Sequence, residues 1–138
     1  MKLLDTNIIM YAVGMSHVYK APCQAILQKA LNNTEVFNID TELCQELLYV
    51  YGRRGERETG FETVNALLRL FPNPLVIDSN VILETTRLMH KYPKLAARDA
   101  IHAAVAIVYD LEGLSAWIRC LTKLKVWKGL SHSKIRRN

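Results

Sequence analysis

The sequence predicts a single α/β domain built on a short parallel sheet. Three observations carry this. Short apolar runs at Leu3-Leu4, Val36 to Ile39 and Leu75 to Ile77 have the length and composition of buried strands. Segments with apolar residues at helical spacing separate these runs, and strands alternating with helices argue a parallel sheet with right-handed crossovers. The length of 138 residues suits one domain with a real core.

Taken in order, Leu3-Leu4 is the first strand, and a short helix runs from Asn7 to about Val13, ended by Gly14. His17 to Leu31 is a helix with Pro22 in an early turn and Ile26, Leu27, Ala30 and Leu31 on one side. Val36 to Ile39 is the second strand. Asp40 or Thr41 caps the next helix, whose apolar positions Leu43, Leu47, Leu48, Val50 and Tyr51 recur at helical spacing until Gly52-Arg53-Arg54-Gly55 breaks it. A further helix covers Arg57 to Leu70 and stops before Pro72 and Pro74. Leu75 to Ile77 is a third strand, and Asp78-Ser79-Asn80 caps a helix reaching about His90. Ala96 to Tyr109 is an alanine-rich helix, buried on most sides by its composition.

Half the residues are apolar and 22% are charged, as in ordinary globular proteins. The net charge of +5 permits a polyanionic partner, although much of it lies after Lys123. Cys23, Cys44 and Cys120 are an odd set without CxxC spacing, which fits reduced thiols. Asp5 interrupts the first apolar run too early for a signal peptide, and no stretch is apolar enough to span a membrane. The expected location is cytoplasmic.

Three acids stand where chemistry is plausible. Asp5 ends the first strand, and the carboxyl end of a strand in an open α/β sheet is where ligands are held; as a helix cap it has an equally good role. Glu46 sits between Leu43 and Leu47, near the apolar stripe of its helix, with Glu42 a turn earlier as a competing choice. Asp99 is the sole acid between Leu95 and Tyr109, beside an Arg98 expected to point to solvent and one turn before His102, a core histidine in preference to a ligand. If Asp5, Glu46 and Asp99 converge, they repel one another unless a cation intervenes. Without a cluster of His or Cys they suit a hard ion, Mg2+ or Mn2+, which can activate water for phosphodiester hydrolysis. On that reasoning Asp5→Asn leaves the fold intact or slightly stabilised. No P-loop, GxGxxG, GxSxG or HExxH is present.

The segments Leu4-Asp5-Thr6-Asn7, Gln45-Glu46-Leu47-Leu48 and Ala97-Arg98-Asp99-Ala100-Ile101-His102-Ala103-Ala104, in this order and spacing, resemble the PIN-domain family and its VapC-type toxin ribonucleases. The stretch from His17 to Leu27 is similar to that family's first long helix, and the likeness runs from Met1 to about Leu114. It implies a Rossmann-like three-layer α/β/α fold and Mg2+- or Mn2+-dependent cleavage of RNA. It also implies a homodimer and inhibition by a cognate antitoxin in a type II pair. Asp5, Glu46 and Asp99 match the family's first three acidic positions, which makes them the expected catalytic and metal-holding residues. Lys and Arg residues around the cleft are expected to hold the RNA backbone, none of them singled out by the sequence; for Arg53, Arg54 and Arg98 solvated surface charge is the default reading.

The tail departs from that pattern. Residues 1–114 are expected to be the PIN domain and 115–138 an atypical basic tail, because no acid follows Ser115 where the family carries a fourth. Two explanations stand side by side. One is a native basic segment that is poorly ordered or contacts phosphates. The other is a reading-frame slip near Leu114: one base out of register, Trp117-Ile118 necessarily encodes Asp and Trp127-Lys128 Glu, and codon degeneracy allows a family-like tail around them. Loss of the fourth acid favours an alternative function, a degenerate PIN domain that binds an antitoxin or RNA without cutting.

Overall fold

The computed structural model describes residues 1–111. The expected tail and the missing fourth acid lie outside the described residues. Strand β1 (Lys2–Leu3) leads into α1 (Thr6–Val13) and α2 (Lys20–Leu31). Strand β2 (Phe37–Asn38) is followed by α3 (Thr41–Arg53) and α4 (Arg57–Leu70), then α5 (Ser79–Lys91) and α6 (Ala97–Val108).

β1 and β2 pair in parallel, Lys2 opposite Phe37 and Leu3 opposite Asn38. The expected third strand is reduced to one parallel bridge, Asp40 to Leu75. Leu75 exchanges backbone hydrogen bonds with Ile39 and Thr41, but the Ile77 N–H turns to the Thr41 hydroxyl at 3.2 Å, so the ladder ends there. The α2 helix starts at Lys20, three residues later than expected from the sequence. The His17 Nδ1 accepts the Tyr19 N–H, and the Tyr11, His17 and Tyr19 rings pack on one another ahead of the first turn.

Alternation across the sheet makes the layers. Leu4, Phe37 and Ile39 join one apolar cluster with α1 to α4, whereas Leu3 joins another with Val81, Leu88 and the alanines of α6. The fold is therefore an α/β/α arrangement, helix-rich around a very short sheet, as the sequence predicted. Gly55 takes the left-handed conformation that turns α3 into α4, with φ of 72°. Gly60 lets α4 approach closely, since a Cβ there would stand 3.0 Å from the Tyr51 Cβ. Cys23 is buried and Cys44 partly buried, and neither is in a disulfide among the described residues. Among the described residues no helix is long and apolar enough to cross a membrane.

Candidate active site

Parallel pairing places the carboxyl ends of β1 and β2 on one edge, and each strand is followed two residues later by an aspartate that starts a helix. Asp5 Oδ2 accepts the Asn7 N–H at 3.0 Å and caps α1. Asp40 Oδ1 accepts the Leu43 N–H at 2.8 Å and caps α3. Both aspartates are buried, Asp40 completely. A side chain serving only as a cap needs one oxygen, and each has a second that faces inward.

What stands between them is His102, on the buried side of α6. Its Nδ1 donates to Asp40 Oδ2 at 2.7 Å. Its Nε2 lies 3.8 Å from Asp5 Oδ1 and 3.9 Å from Glu46 Oε2, ion-pair distances too long for hydrogen bonds. Among the described residues this buried nitrogen has no hydrogen-bond partner. Burial alone would lower the His102 pKa. The Asp40 and Glu46 contacts and the charges of Asp40 and Asp5 overcome it and raise the pKa to about 10. The ring is thus an imidazolium at neutral pH, held by Asp40 and facing two further carboxylates.

Glu46 is fixed from two sides. The Thr6 hydroxyl donates to its Oε2 at 2.8 Å and Arg98 Nη1 to its Oε1 at 3.0 Å. Its pKa is lowered, most by His102, against burial, with Thr6 and Arg98 adding to the effect. Asp99 is half-buried, and its pKa is raised: loss of water dominates, His102 opposes, and the Glu46 charge adds to the rise. Glu42, partly buried, is raised in the same way, chiefly by burial, and its charge is coupled to His102 and Glu46.

The site predicted from sequence is therefore partly assembled. Asp5 and Glu46 meet at His102 Nε2, and Asp99 lies within the electrostatic reach of Glu46 and His102. Two expectations change. Arg98 does not simply point to solvent: its side chain is 57% exposed, yet its tip pairs with Glu46. Asp40, read only as a cap, is the hydrogen-bond partner that aims His102 at the carboxylates. The Thr6 hydroxyl orients Glu46.

The donor chemistry fits a hard cation, since carboxylate oxygens suit Mg2+ and Mn2+. The spacing is not closed around one: among the described residues no three His, Cys, Asp or Glu side chains are grouped as an ion-holding set. Arg98 would compete with an ion for Glu46 Oε1.

A strand-edge cluster of carboxylates on a short parallel sheet defines the class of protein: an α/β domain with an acidic site at its carboxyl edge. The PIN-domain profile matches residues 2–116, and the chain belongs to the PIN-domain family. It is similar to Ribonuclease VapC13 of Mycobacterium tuberculosis and VapC ribonuclease Mb1869c of Mycobacterium bovis. Each is 33% identical over 119 residues, covering 86% of this chain and 91% of the relative. Ribonuclease VapC23 of Mycobacterium tuberculosis is 32% identical over 107 residues, 75% of this chain and 82% of the relative. No solved structure matches the chain.

Proposed function

We propose that this protein is a metal-dependent endoribonuclease, the toxin of a type II toxin–antitoxin pair, acting in the cytoplasm as a homodimer. The observation that carries this reading is the convergence of Asp5 and Glu46 on one point, from the end of β1 and from α3, with Asp99 in the same field. The names of the relatives, VapC ribonucleases, support the choice of RNA as substrate, and the antitoxin partner follows from the family resemblance read in the sequence.

In this reading Asp5, Glu46 and Asp99 would hold Mg2+ or Mn2+ through their carboxylate oxygens. A bound ion of this kind lowers the pKa of water and stabilises charge on phosphoryl oxygens. Thr6 keeps the Glu46 carboxylate in one orientation through its hydroxyl. Asp40 holds the His102 ring so that Nε2–H faces Asp5 and Glu46, and the ring lowers the Glu46 pKa. Burial of Asp5 and His102 limits water around the reacting centre.

Cleavage of unstructured RNA with Mg2+, followed by addition of EDTA, tests the proposal. EDTA and Asp5→Asn should each abolish cutting. Cleavage indifferent to both would sink it. A non-cleaving binding module is the second reading, favoured by the absence of any acid from Ser115 to Asn138. It predicts a stable complex with the antitoxin and no metal-dependent cutting.

A further inference from the structure

We propose that the outer face of α3 beyond Glu46 is a path for single-stranded RNA, with Tyr49 as a base-stacking surface between two phosphate-binding arginines, Arg98 and Arg53. The inference rests on the ribonuclease reading above and names where its substrate lies.

Glu46, Tyr49 and Arg53 are spaced i, i+3 and i+7, so they share one face of the helix. At the inner end Arg98 reaches across from α6 to Glu46 while more than half of its side chain stays in water. At the outer end Arg53 donates to the Tyr49 hydroxyl at 3.1 Å, its guanidinium 5.8 Å from the ring centroid. Tyr49 itself is 52% exposed. Along the helix the ring therefore stands between Glu46, which Arg98 reaches, and Arg53, which bonds the ring's own hydroxyl.

Gly52 supplies the second observation. It lies in the last turn of α3, and a Cβ built there meets nothing within 4 Å. No packing contact requires glycine at this position, although glycine is a poor helix former. Helical side chains lean toward the N-terminus of their helix, so any side chain at 52 would lie over Leu48 and Tyr49. Glycine leaves that surface open.

A tyrosine–arginine pair four residues apart is common on helices and is worth little by itself. An open ring flanked by cations, starting at the acidic site and left uncovered by its neighbour, fits a strand of nucleic acid. Phosphates take the arginines and a base takes the ring face. A duplex hides its base faces, which favours single strands. An acidic peptide would use the arginines but not the ring.

The test is fluorescence anisotropy of the full chain in EDTA with a labelled, unstructured RNA of about 12 nucleotides. Tyr49→Ala should weaken binding roughly 5- to 150-fold, the range measured for loss of one stacked base, and Tyr49→Phe should retain it. Gly52→Gln, which favours the helix and whose Cβ meets nothing within 4 Å, should weaken binding by laying the rest of its side chain over the ring. Arg53→Gln should flatten the salt dependence by about one phosphate contact. Binding by wild type that is unchanged in both Tyr49→Ala and Gly52→Gln overturns the proposal, as does no RNA binding by wild type. Equal competition by polyglutamate, insensitive to Tyr49, assigns the face to an acidic protein segment and overturns it too. Failure of the ribonuclease reading looks different: wild type binds through Tyr49 yet does not cut with Mg2+.

Discussion

Asp40→Asn isolates the charge that holds His102. Asparagine keeps an oxygen for the Leu43 N–H, so the α3 cap survives, while the anion beside His102 Nδ1 is removed. The His102 pKa rises from 6.5 to about 10 in the folded chain. A raised histidine pKa contributes stability that is fully present below pH 6.5 and lost as the pH climbs through about 10. At ~1.4 kcal/mol per pH unit this is a ceiling of roughly 5 kcal/mol for the metal-free protein. Asp40 supplies the strongest of the raising influences and a second through its charge. Its neutralisation should therefore cost about 2–3 kcal/mol at pH 7, a little less than the usual cost of breaking a buried pair. Urea unfolding followed by circular dichroism, in EDTA from pH 6 to pH 10, measures it. The wild-type advantage should be largest near pH 6 to 7 and shrink toward pH 10. A gap that stays constant across this window would refute the reasoning, because the variant would then be losing packing and not charge.

Other perturbations read the same site. Asp5→Asn should abolish cleavage and lower, rather than raise, metal-free stability, since Asp5 faces the His102 imidazolium as well as other acids; thermal melts in EDTA decide the sign. Asp99→Asn should do the opposite in the same melts, because burial already penalises its charged form. Thr6→Val leaves Glu46 Oε2 without its hydroxyl donor and should cost about 1–2 kcal/mol in urea unfolding, with reduced cleavage. Arg98→Gln should cost no more than about 1 kcal/mol, as the arginine half of its ion pair is more than half in water, yet tighten Mg2+ binding by calorimetry by freeing a Glu46 oxygen.

The fold was legible where periodicity and caps agree. Asp5, Asp40 and Asp78 each announce a helix in the sequence, and each accepts the backbone N–H that begins one. Strand extent was not legible. Leu75-Val76-Ile77 is as apolar as a strand should be, but Thr41 takes the Ile77 N–H and Asp78 begins α5 at once, so only one bridge forms. The start of α2 was hidden for a similar reason: the ring packing around His17 lies outside any helical period. At the site, Asp5, Glu46 and Asp99 stand out as acids in apolar settings. The role of Asp40 does not, because its cap explains it locally and its second partner is 62 residues away. The parallel register was the available signal: Leu3 opposite Asn38 places Asp5 and Asp40 side by side at the same edge.

That edge changes the case for a metal. From sequence, converging carboxylates demand a cation to relieve their repulsion. In the folded chain His102 and Arg98 already provide positive charge, one buried and held by Asp40, the other exposed and paired with Glu46. Repulsion by itself is therefore a weaker argument for Mg2+ than the oxygen-only character of Asp5, Glu46 and Asp99. The two cations also differ in what they can do. His102 is anchored at Nδ1 and cannot leave without breaking the Asp40 pair, whereas Arg98 loses little by swinging from Glu46 to an incoming phosphate. Substrate arrival and exposure of a Glu46 oxygen would then be one event. Arg98→Gln should uncouple them: RNA binding in EDTA falls while Mg2+ affinity rises. If both move in the same direction, Arg98 does not pass between Glu46 and the phosphate.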